Sequence, residues 1–208
     1  GREAADIQLV AVSKTMPVEN LLEAIDCGLN VFGENYIQEA REKFNALYAQ
    51  SVSWHFIGHL QSNKAKYAVK MFDLIHSVDS LKLAREIDKQ AAKIDKVQDV
   101  LVQVNIAGEV SKSGVSVDEA IPLISALSQL KHIAVNGLMT MPPYFNAPEK
   151  VRPFFADLRQ LRDQIQALEI AGVSMAELSM GMTGDFEAAI QEGATMVRIG
   201  TAIFGERL

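Results

Sequence analysis

Eight times along the 208 residues, a short apolar or β-branched run gives way to a segment of helical periodicity. That alternation constrains the fold more than any single motif. The predicted strands are Leu9–Val12, 30–35 with its exit loop, 54–59, 73–78, 99–106, 133–141, 177–181 and 196–200. The predicted helices are 17–27, 36–48, 63–71, 80–94, 117–130, 148–168 and 185–191, and Gly200–Gly205 reads as the exit loop of the eighth strand. The first helix shows the pattern: Val18, Leu21, Leu22 and Ile25 fall at i, i+3, i+4 and i+7, one apolar stripe. Pro17 suits its first position, Gly28 its end. Ser80 reads as an N-cap and Pro142-Pro143 as a strand stop. Strict alternation implies parallel strands joined by right-handed crossovers. Eight such units close a barrel, so the expected fold is α/β, a single (β/α)8 TIM-barrel domain over residues 1–208. A doubly wound open sheet would call for a Gly-rich first turn, which this chain does not have.

In such a barrel, ligands meet the loops that follow the strands. The first strand runs straight into Ser13 and Lys14. A lysine at the rim of a buried strand can lose water and act as an amine nucleophile toward a carbonyl, or can simply snorkel to solvent. After the seventh strand, Gly181-Met182-Thr183-Gly184 enters a helix. After the eighth, Gly200 and Thr201 make a second small-residue loop. Loops at these two positions often hold a phosphate through backbone N–H groups and hydroxyls. Since strand eight closes against strand one, the phosphate cradle and Lys14 adjoin. A ligand bearing both a phosphate and an aldehyde would bridge them, and pyridoxal 5′-phosphate (PLP) is such a molecule. Arg198 interrupts the apolar run Met196-Val197-Arg198-Ile199. A charge there needs a partner or a place at the barrel mouth. It serves either an ion pair or a ligand, and as a pure donor it would hold a pyridine nitrogen unprotonated.

Several function classes are disfavoured. The net charge of −6, a pI of about 5.3 and the lack of any Lys/Arg cluster argue against nucleic-acid or anionic-membrane partners. Cys27 is the only cysteine, so no internal disulfide or cysteine metal site is expected. It reads as a small buried hydrophobe in a reducing, cytoplasmic setting. No apolar run approaches a membrane span and no signal peptide is present. The chain opens without Met and almost directly on a strand, which points to a missing N-terminal segment. His55, His59 and His76 lack the spacing of a metal hydrolase, so no metal is expected. Glu34, beside Asn35, reads as a general base or a structural carboxylate.

The sequence resembles the pyridoxal phosphate homeostasis family (YggS/PROSC-like), which shares the barrel of the alanine racemase N-terminal domain. The matching stretches are Ala11-Val12-Ser13-Lys14-Thr15, 32–39, 54–64, Ser111-Lys112-Ser113-Gly114, Gly137-Leu138-Met139-Thr140, 178–183 and 196–205. Together they span the chain in order. The resemblance implies a fold-type III PLP site with Lys14 as the aldimine lysine. It implies that Thr183, Gly200 and Thr201 hold the phosphate and Arg198 faces the ring nitrogen, with Asn35 and Met180 lining the site. Two departures stand out. Thr183 replaces a usual serine, and the family's N-terminal helix has no counterpart here. The implied role is intracellular PLP homeostasis and amino-acid/keto-acid balance without catalytic turnover, PLP-dependent apo-enzymes being the recipients. The alternative is an amino-acid racemase, which needs a second base opposite Lys14. Tyr36 and Tyr144 are the tyrosines at the mouth. Racemases supply that base from a β-domain across a dimer interface; no such domain follows strand eight, which points to a monomer. A phosphosugar aldolase or isomerase, with Lys14 on the substrate, is the reading without the cofactor.

Overall fold

The structure is a computed structural model that describes residues 2–109, 112–143, 145 and 147–205. Eight parallel strands pair in sequence order and close, β8 against β1. They are β1 Gln8–Val12, β2 Val31–Glu34, β3 Ser53–Phe56, β4 Leu74–Val78, β5 Gln98–Gln103, β6 Ile133–Met139, β7 Val173–Met182 and β8 Met196–Ile199. The helices are α1 Val18–Asp26, α2 Ile37–Ala46, α3 Ala65–Met71, α4 Leu81–Ala92, α5 Val117–Leu127, α6 Arg152–Ala167, α7 Phe186–Gln191 and α8 Thr201–Phe204. A 3-10 turn, Ala4–Asp6, precedes β1, and others lead into α3 and α6. At the barrel's lower end, Arg2 donates to the Ala194 carbonyl ahead of β8.

Two apolar layers hold the barrel. The large one lies between strands and helices, where Phe32, Phe56, Phe72, Phe155 and Leu158 are fully buried. The second fills the barrel itself: Val10, Val31, Leu74, Leu101, Met139 and Met196, one residue from each of six strands. Strand side chains alternate between faces, so the next inward residue lies two positions on. That step leads to Val12, Gly33, His76, Gln103, Met141 and Arg198. The apolar plug therefore sits below a layer of mixed polarity that faces the strands' carboxyl ends, where a TIM barrel carries its chemistry.

Some local expectations change. Pro17 is the N-cap of α1, one position before its expected place. Leu22 is exposed, because the inward face of α1 is carried by Leu21 and Ala24. Cys27 is exposed as the C-cap of α1, past the helix's last inward residue, and is not a core residue. The predicted exit loop after β8 contains the helical turn α8. β7, expected as a short strand over 177–181, is the longest at ten residues. Ser80 does cap α4, accepting from the Leu83 N–H at 3.4 Å.

Candidate functional site

A cavity of about 290 Å3 opens at the carboxyl ends of β1, β2, β7 and β8. Lys14, Asn35, Thr183, Arg198, Gly200 and Thr201 all line it. Four strand ends separated by as many as 187 residues thus converge as the alternation of strands and helices requires. Met180 does not line the cavity. Ser179 points inward, so Met180 points out and is fully buried in the layer between strands and helices. The strand then bulges: Ser179 pairs with Met196 but Met182 with Arg198, three residues of β7 against two of β8. Gly181 takes up the extra residue at φ +93°, and Met182 becomes the residue at the cavity edge.

The two small-residue loops border the cavity. Gly184 has open space where a Cβ would stand. In α8 the first N–H group taken up within the helix is that of Ile203, which bonds the Gly200 carbonyl at 2.9 Å. The amides of Thr201 and Ala202 precede it, and helix geometry offers them no internal acceptor. Asp185 also lines the cavity, which the sequence did not single out. Its carboxylate turns back onto its own loop, accepting from the Met182 N–H at 2.7 Å. Burial raises its pKa, and that bond together with Arg198 opposes the rise.

Arg198 is buried at 4% exposure. Its Nη1 donates to Ser179 Oγ at 2.6 Å and its Nη2 to the Thr140 carbonyl at 2.8 Å. Both acceptors are neutral. Asp185 acts on it only through space, and desolvation pushes the guanidinium down to about 10. Among the described residues no ion pair neutralises it. A buried, uncompensated charge at a cavity wall is costly as structure and suited to a ligand acceptor. Asn35, at the same cavity, carries a buried Oδ1 with no hydrogen-bond partner among the described residues. Asn35 is held from behind by Gly58, where a Cβ would come within 2.3 Å of the Asn35 carbonyl oxygen.

Lys14 is half-buried on a two-residue turn. The backbone on either side of it is held by α2. Lys43 Nζ donates to the Ser13 carbonyl at 2.6 Å, to Glu34 Oε1 at 2.8 Å and to Glu39 Oε1 at 2.6 Å. Ser13 Oγ donates to Glu34 Oε1 at 2.6 Å, and the Thr15 N–H donates to Glu39 Oε1. Thr15 sits at φ +65°, a costly conformation for a β-branched residue. Glu34, fully buried, is thus a structural anchor and not a base at the mouth. Burial raises its carboxyl pKa, and Lys43 and Ser13 oppose the rise.

The histidines divide. His55 and His76 are buried beneath the cavity and hydrogen-bonded to one another at 3.1 Å. His59 is exposed and faces Asp79. Among the described residues no cluster of His, Cys, Asp or Glu could hold a metal ion, and no helix is long and apolar enough to cross a membrane. Of the tyrosines at the mouth, Tyr36 lines a neighbouring cavity with Gln38, His59 and Lys64, while Tyr144 lies outside the described residues, as does Ser111.

The model of the alanine racemase N-terminal domain family matches residues 2–208. A pyridoxal phosphate homeostasis protein of Aquifex aeolicus is 49% identical over 207 residues, covering 100% of this chain and 90% of that protein. The solved structure of PipY from Synechococcus elongatus, with PLP bound, superposes with a TM-score of 0.90 at 36% identity, over 98% of this chain and 95% of that one. Alanine racemase of Clostridium difficile in complex with cycloserine shares the fold alone: TM-score 0.81, 17% identity, 56% of that chain covered.

Proposed function

The chain belongs to the alanine racemase N-terminal domain family, and on that premise we propose that it is a PLP-binding protein of intracellular PLP homeostasis. It holds the cofactor as a Schiff base on Lys14 and keeps amino acids and keto acids in balance without turning them over. It works in the cytoplasm, as a monomer, and PLP-dependent apo-enzymes receive its cargo. The observation that carries this reading is the cavity that joins Lys14, a buried guanidinium with neutral partners, and two small-residue loops. A ligand that offers an aldehyde, a ring lone pair and a phosphate satisfies all three, and the full-length relatives named for PLP homeostasis support the same choice.

Each residue has a part. Thr183, Gly200 and Thr201 supply hydroxyl and amide donors to the phosphate. Asn35 offers an amide to the ring's polar edge. Arg198 donates to the ring nitrogen. When bound, PLP supplies a reactive aldehyde and an electron-withdrawing ring. A guanidinium that only donates leaves the ring nitrogen without a proton, so the ring withdraws electrons weakly. That suits storage better than carbanion chemistry. The deciding experiment is an absorbance titration with PLP, before and after borohydride, in wild type and Lys14→Ala. A visible band that borohydride bleaches and that Lys14→Ala lacks is expected, with no racemisation of added amino acids. A wild type with no such band would overturn the reading, and steady racemisation would overturn its non-catalytic part.

A further inference from the structure

Behind Arg198, away from the cavity, a chain of hydrogen bonds crosses the barrel interior. Arg198 Nη1 donates to Ser179 Oγ at 2.6 Å. Ser179 Oγ lies 2.9 Å from His76 Nδ1, and His76 Nε2 lies 3.1 Å from His55 Nδ1. All four side chains are buried. Neither the homeostasis role nor the covalent link to Lys14 needs two imidazoles here, and a barrel interior could be filled more cheaply by apolar side chains.

The direction of the chain follows from elementary donor chemistry. A guanidinium only donates, so Ser179 Oγ accepts from Arg198. Among the described residues the hydroxyl's one other partner is His76 Nδ1. Its proton therefore points there, and Nδ1 carries a lone pair. A neutral His76 then bears its proton on Nε2 and gives it to His55 Nδ1, which leaves His55 protonated on Nε2. Burial disfavours a second proton on either ring, and the positive charge of Arg198 weighs further against one on His76.

We propose that Ser179, His76 and His55 form a one-way hydrogen-bond relay that fixes the guanidinium of Arg198 toward the ring nitrogen of the ligand, making Ser179 and His76 positioning residues. With Nη1 tied to Ser179 and Nη2 to the Thr140 carbonyl, the plane of the guanidinium is set at two points. Its remaining N–H groups stay available to the cavity that Arg198 lines. In a relay of one polarity the Nδ1 lone pairs of His76 and His55 are already taken, so Ser179 Oγ is the one acceptor the relay offers Arg198 and the guanidinium has no second inward partner among these side chains. In its ligand the inference rests on the PLP reading; in its polarity it does not.

The experiment has two arms. The first needs no ligand: nitrogen-15 NMR of the imidazoles in the apo protein. His59 and His132 are assigned by comparison with His59→Gln and His132→Gln. His55 and His76 are expected each to show a lone pair on Nδ1 and a proton on Nε2. The opposite tautomer in either ring, or a mixture, overturns the relay. The second arm compares affinity for PLP and for 1-deaza-PLP, in which C–H replaces the ring nitrogen, in wild type, Ser179→Ala, His76→Leu and His76→Asn. Ser179→Ala and His76→Leu are expected to bind PLP about tenfold more weakly, on the order of one hydrogen bond to a charged group. They should bind 1-deaza-PLP as wild type does. His76→Asn, which puts an amide oxygen near the Nδ1 position, should restore most of the PLP affinity. Equal losses for both ligands would mark a merely structural role and overturn the proposal. A wild type that binds neither ligand sinks the PLP reading instead, and the tautomers then decide the relay by themselves.

Discussion

Lys43 shows how a residue far from the cavity can decide what happens in it. The residue is buried, and its ammonium is shared by Glu34, Glu39 and the Ser13 carbonyl. Removing it strands the fully buried Glu34 carboxylate. Breaking a buried pair from one side typically costs about 3–5 kcal/mol. Lys43→Met is therefore expected to lower the unfolding free energy by that amount in urea melts, and to slow capture of PLP because the turn carrying Lys14 loses its tie. The double variant Lys43→Met, Glu34→Gln should recover part of the stability, since no charge is then left alone. Losses that simply add would show that the two side chains do not act as a pair. A hint of Lys43 was present in the sequence: it falls three residues after Ala40, on the same side of α2 as Ala40 and Phe44. Glu39 is a local partner one turn earlier on α2, but nothing local says that the lysine turns inward, because Glu34 and the Ser13 carbonyl come from β2 and from just past β1. That Lys14, Arg198, Thr183, Gly200 and Thr201 meet at one cavity was legible because each lies at or just past the carboxyl end of a strand, the rim where a barrel gathers its loops.

At the scale of the element, β7 is where periodicity failed. The first half of β7, Val173 to Glu177, is partly exposed, and only Val173 and Glu177 pair with β6 there. A half-exposed segment with sparse pairing gives neither a continuous apolar run nor a clean alternation. The bulge at its far end is equally silent in the sequence, and it is what exchanges Met180 for Met182 at the cavity. Gly181 makes the bulge possible. A Cβ there would lie 2.6 Å from the Ala189 Cβ, on a backbone at φ +93°. Gly181→Ala should cost about 1–3 kcal/mol for the conformation alone, with the clash in addition. Because the bulge feeds directly into Thr183 and Gly184, the same variant should weaken PLP binding more than it weakens the fold. Paired urea melts and PLP titrations would check this. An affinity that survives unchanged would show that the loop does not depend on the bulge.

For the whole molecule, the closed barrel was legible because eight strand–helix units leave parallel strands no other economical way to remove their edges. What fills that barrel was not legible, since each strand contributes one or two inward residues and no sequence window sees them together. The content of the interior makes a prediction about the entire fold. His55 is pushed down to about 4 by burial, and His76 lies well below the usual histidine value for the same reason. In the unfolded chain both rings take a proton near pH 6.5. Between that pH and the folded value the unfolded state binds more protons, so stability must fall as the solution is acidified through this window. For His55 the loss is about 3 kcal/mol between pH 6.5 and pH 4, at roughly 1.4 kcal/mol per pH unit. Glu34 and Asp185 pull the other way, because burial raises their carboxyl pKa values and the folded state gains protons first. The histidine share is isolated by difference: unfolding free energies from pH 7.5 to 4.5 in wild type and in His55→Gln. The wild-type curve should drop more steeply below pH 6.5 and run parallel to the variant's above it. Parallel curves throughout would mean that His55 accepts its proton inside the barrel, and the interior would then have to accommodate a second positive charge beside Arg198.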